Sequence, residues 1–173
     1  MKRMHTRSYL FPIIAIIIGS IVLETSHGAE VSELTAIVNK IGIKGQGHSE
    51  ARKAMRQLAQ LEPDSAVAIL THFDSSNKLA VNWLRAAVDG ILEDGVAEAQ
   101  ELPIAALVKF LHDREQDANA RRVAYEWIIE VEPQRKSAIL EKSLNDPSLE
   151  IRREAVAFAL GSASNLEETS TEK

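Results

Sequence analysis

The sequence predicts an all-α protein of about eight short helices arranged in pairs, an α-solenoid of about four units. Three observations carry this prediction. Apolar residues recur at helical spacing, as in Ala51, Ala54, Met55 and Leu58, and again in Val81, Leu84, Ala87, Val88 and Ile91. Hydrophobic residues make up 45% of the 173 positions but aromatics only 5%, so Ala, Leu, Ile and Val supply the apolar surface. Such small aliphatics suit closely packed helices better than a β-sandwich. Finally, the chain resembles itself. Leu61-Glu62-Pro63, followed after four residues by Ala68-Ile69-Leu70, returns as Val131-Glu132-Pro133 and Ala138-Ile139-Leu140 at an offset of 70, or two units of 35.

In chain order, the first helix carries Val31, Leu34, Ile37, Val38 and Ile41. Gly42, Gly45 and Gly47 mark a loop from Gly42 to His48. Ser49 is placed to cap a second helix, Glu50 to Gln60. Glu62-Pro63 ends it, and a third helix follows over Ala66 to Phe73. Asp74-Ser75-Ser76-Asn77 is a turn. The fourth helix is longer, Lys78 to Glu93, closed by Asp94-Gly95, with an extended connection or a ragged turn of helix over Val96 to Leu102. Pro103 opens a fifth helix, where its missing amide costs nothing. Asp113 to Asn119 turns into a sixth, Ala120 to Glu130. Glu132-Pro133 breaks the chain before a seventh, Arg135 to Leu144. Asp146-Pro147 then turns into an eighth, with Ser148 as its cap and Ile151, Ala155, Phe158 and Ala159 on one face. Residues 162–173 are polar and read as a disordered tail.

Residues 1–29 read as an export signal: Lys2, Arg3 and Arg7, then an apolar run from Leu10 to Leu23, then small residues with a cut after Gly28 or Ala29. The alternative is an uncleaved anchor through residues 10–23, which is short for a membrane span. Without residues 1–29, 17 basic and 24 acidic residues remain, a net charge of −7. That balance argues against nucleic acid or an anionic membrane surface as partner. The chain has no cysteine, which excludes disulfides, thiol catalysis and cysteine-ligated zinc.

The turn Asp146-Pro147, the helix start Ile151-Arg152, Ala155 and Ala159-Leu160-Gly161 resemble the second half of a HEAT repeat, of the phycobilisome-lyase-like type, here in an exported, bacterial-style member. Arg52, Arg85, Arg121 and Arg152, near the starts of second helices, extend the resemblance to four pairs: 30–60, 61–95, 102–131 and 132–161. The resemblance implies polar bonding between turn aspartates and the arginines that follow, hence Asp146 with Arg152 and Asp113 with Arg121. It also implies that second helices line an inner binding face, where Trp83, Tyr125 and Trp127 lie. Trp127 shares a stripe with Val123, Ala124 and Ile128, so a place in the core is its alternative. Trp83 lies off the strongest stripe and is the better surface candidate.

No residue set points to catalysis, a metal or another cofactor. His48, His72 and His112 are never three or four residues apart. His48-Ser49-Glu50 are adjacent and cannot converge as a triad. The glycines of 42–47 follow a helix and lack the phosphate-loop ending. The function expected is therefore a non-catalytic, exported (periplasmic or extracellular) repeat module that binds a protein or peptide. The alternatives are a lyase-like or chaperone-like HEAT protein, or the front of a longer exported protein whose activity lies elsewhere. Contact with a membrane is expected only if the signal segment stays uncleaved.

Overall fold

Polar turns cut the chain into helices whose apolar stripes converge. The computed structural model describes residues 28–171. Among them are eight α-helices and no strand. They are α1 (28–38), α2 (His48–Leu58), α3 (Ser65–Leu70), α4 (Lys78–Ala97), α5 (Ile104–His112), α6 (Ala118–Val131), α7 (Lys136–Glu141) and α8 (Leu149–Thr171). The segment read as an export signal lies outside the described residues up to position 27. No helix among the described residues is long and apolar enough to cross a membrane.

Neighbours in sequence pack as pairs: α3 on α4, α5 on α6, α7 on α8. Across the pairs, α4 touches both α2 and α6, and α3 touches α5. One core cluster runs from Val31 in α1 to Ala155 in α8. The recurring segment folds alike in both places. Pro63 and Pro133 each precede a six-residue helix, and Ile69-Leu70 and Ile139-Leu140 are buried at equivalent positions.

Several boundaries and one cap differ from the sequence prediction. The helix α4 passes through Asp94-Gly95 and ends at Ala97. Gly95 is a contact point rather than a stop: a Cβ there would lie 2.7 Å from Pro63 Cγ and 2.9 Å from Leu102 Cδ2. The helix closes instead through Ala99, whose φ is 56°, with the Gln100 amide donating to the Gly95 carbonyl at 2.9 Å. This is the left-handed C-terminal cap that glycine usually fills. At the start of α2 the cap is Gly47, at φ 71°, and not Ser49. Ser148 does precede the first residue of α8, its carbonyl accepting from the Arg152 amide at 3.0 Å and its own amide donating to Asp146 Oδ1 at 2.8 Å. And α8 continues past Gly161 to Thr171 across the segment read as disordered. That stretch holds no proline, and a lone glycine costs a helix only about 1 kcal/mol.

Two side chains tie turns to distant elements. Asn77 caps α4 by accepting from the Ala80 amide at 3.2 Å, and its Nδ2 donates to the carbonyls of Asn39 and Ile41 at 3.1 and 2.8 Å. Asp117 caps α6 through the amides of Asn119 and Ala120, at 2.8 and 3.2 Å, and also accepts from the Ser75 amide at 3.1 Å.

Candidate functional site

The second helices carry a row of charged side chains joined across the gaps between them. On α4, Arg85 pairs with Asp89 one turn on, at 3.3 Å, and with Glu126 of α6 at 2.6 Å. Glu126 also takes Arg122 of its own helix at 2.7 Å, and Arg122 reaches Glu150 of α8 at 2.5 Å. The bond to Glu126, opposed by burial and aided by the charges of Glu126 and Glu150, raises the Arg122 pKa above its ordinary value. Glu154 of α8 accepts from Tyr125 Oη at 2.9 Å and pairs with Lys136 at 3.1 Å. Exposed pairs of this kind are each worth about 0–1 kcal/mol, so their main effect is on register.

Between α4 and α6 the row borders an open groove of about 440 Å³. Trp127 lies in it half-buried, its Nε1 donating to Asp89 Oδ1 at 2.8 Å. Asp89, Glu93 and Val96 line it from α4, and Glu126 and Glu130 from α6, with Arg85 at one end. The two helices run the same way, since Asp89 meets Trp127 and, further along both, Val96 and Val131 border one hollow. Val96 is 55% exposed, a large apolar group at the surface. The acidic character of this groove is absent from the sequence reading. Its signal was there: Asp89 and Glu93, and Glu126 and Glu130, are like charges four apart, a spacing that weakens an isolated helix.

The three aromatic candidates separate. Trp127 faces the groove while its other side packs on the core. Tyr125 is 1% exposed and cannot be a surface anchor. Burial first, then its bond to Glu154, pushes its hydroxyl well above the ordinary tyrosine range. Trp83, the preferred surface candidate from sequence, is half-buried beside His48 of α2, ring centroids 5.3 Å apart.

The polar pairs are also reassigned. Arg121 is 2% exposed and bonds to Asp146, Nη1 to Oδ1 at 3.0 Å and Nη2 to Oδ2 at 2.5 Å, while its Nε donates to the Leu111 carbonyl at 2.8 Å. Its guanidinium points inward to the turn of the following pair, so Asp113, at the surface, is left to its own turn. There Asp113 accepts from Gln116 Nε2 at 2.9 Å and the Glu115 amide at 3.2 Å, which lowers its pKa. Arg152 does not pair with the Asp146 carboxylate, which Arg121 occupies. It donates to the Asp146 backbone carbonyl. Of the four arginines aligned in the sequence, only Arg121 is buried, and Arg52 is exposed.

Among the described residues no group of three or more His, Asp or Glu is placed to hold a metal. Comparison of the chain with family models, with curated proteins and with solved structures finds no match.

Proposed function

We propose that this protein is a non-catalytic binding module, a short HEAT-like α-solenoid exported from the cytoplasm, which takes a protein or peptide segment on the face made by its second helices. The observation that carries the reading is the α4–α6 groove, where a half-buried Trp127 and an exposed Val96 lie among carboxylates. Aromatic groups set in a partly desolvated hollow are the usual anchors of protein recognition. The succession of contacts from α2 through α4 to α6 supports a repeat array, because stacked pairs share one core. Export rests on residues 1–29, with a mature start near Ala29 or Glu30 expected in mass spectrometry of the native protein. An intact Met1 in the membrane fraction would make the segment an anchor.

Binding is tested by site-directed photo-crosslinking in the full chain. A crosslinker at Val96, exposed in the groove, should trap a partner that one at Ile43, exposed in the 42–47 loop, does not. Equal trapping at both positions would reject the groove as the binding face.

A further inference from the structure

We propose that the α4–α6 groove receives a basic peptide segment of a partner protein, one that places an apolar side chain between cationic ones. The proposal rests on the binding-module reading and assigns the chemistry of its ligand. Four carboxylates line the groove against the single guanidinium of Arg85. That guanidinium is shared between Asp89 and Glu126, whereas Glu93 and Glu130 are exposed and form no ion pair among the described residues.

The helix ends give a second, independent reason. Parallel α4 and α6 bring their C-terminal ends to the same side. Neither helix has a basic residue in its last turn, and α6 has Glu130 there. Helix C-termini carry partial negative charge and favour cations. The free protein thus sets the Glu130 carboxylate where the backbone already repels it, and a cation from outside relieves both. Val96 and the exposed side of Trp127 supply the apolar contact. An arginine or lysine stem can lie along the indole while its charge meets Glu93 or Glu130. Asp89 fixes the ring by accepting its N–H. The α6–α8 groove is a poorer match, since Arg122, Arg152 and Arg153 there offset Glu150 and Glu154.

The test uses the full chain and three fluorescein-labelled heptapeptides: alternating arginine and leucine, alternating glutamate and leucine, and heptalysine. The arginine–leucine peptide should bind best and the glutamate–leucine peptide should not bind. Glu93→Gln/Glu130→Gln should weaken binding about tenfold or more, and added salt should weaken it further in the wild type than in the variant. Glu33→Gln/Glu115→Gln, which removes two exposed carboxylates elsewhere, should leave it unchanged. Helical circular dichroism should be the same for all forms. Binding that survives Glu93→Gln/Glu130→Gln overturns the proposal. So does a concentration-dependent dimer in sedimentation that this variant abolishes, which would make the occupant a second copy. If no basic peptide binds while the Val96 crosslinker still traps a partner, the ligand chemistry is wrong and the module reading stands. If both fail, both fall.

Discussion

Arg121 and Asp146, 25 residues apart, face each other in a buried two-bond pair that joins α6 to the turn before α8. Removing one member strands the other in the core. Asp146→Ala should therefore cost about 3–5 kcal/mol in urea melts at pH 7. The double variant Arg121→Met/Asp146→Leu should recover most of that loss, because an apolar pair of similar size has no charge to desolvate. A double variant worse than either single would show that the pair is not coupled in this way.

The same carboxylate sets an acid dependence. Burial alone would raise its pKa, but bonds from Arg121 and the Ser148 amide outweigh burial and hold it below the ordinary value. A depressed acid contributes stability that is present above its unfolded pKa, about 3.9, and is lost as pH falls through the folded value. The stability gap between wild type and Asp146→Asn should be largest well above the unfolded value and narrow as pH falls below it toward the folded one. Urea midpoints across that range would show it, and a gap independent of pH would contradict the assignment.

Arg152→Ala removes a charged donor from the Asp146 carbonyl and should cost about 1–3 kcal/mol. Arg153, the next residue, is exposed and pairs with no carboxylate among the described residues, so Arg153→Ala should stay within about 0.5 kcal/mol. Equal small losses would mean that the Arg152 bond contributes nothing measurable.

Gly95→Ala should destabilise, although alanine is the better helix former by about 1 kcal/mol. The new methyl would meet Pro63 and Leu102 below 3.0 Å, and overpacking typically costs about 1–3 kcal/mol. A thermal melt that rises on this change would show that the loop yields freely.

Ala99→Gly should act in the opposite direction. Ala99 holds a left-handed conformation that disfavours a Cβ, so glycine should stabilise by about 0.5–1 kcal/mol, net of its greater freedom when unfolded. An unchanged or lower midpoint would reject strain at this cap.

The helices were legible because their apolar periodicity is local. The 70-residue echo predicted that Ile69-Leu70 and Ile139-Leu140 would sit alike, and both pairs are buried. Boundaries failed where a distant contact decides: Gly95 reads as a terminator until Pro63 and Leu102 are seen against it. The polar pairs failed for the same reason. The HEAT resemblance implies Asp113 for Arg121, but the arginine turns inward to Asp146 in the following turn. Tyr125 and Trp127 are two residues apart, and the fold buries the first, its hydroxyl bonded to Glu154 of α8, while the second faces a groove.

Asn77 works as a latch between the first helix and the fourth. Its amide nitrogen donates to two carbonyls, Asn39 and Ile41, so both hydrogens are committed. Replacing the amide by a carboxylate of the same shape would remove both donors and set a negatively charged acceptor against those carbonyls. The tie between the end of α1 and the start of α4 would turn repulsive, while the cap to Ala80 could persist.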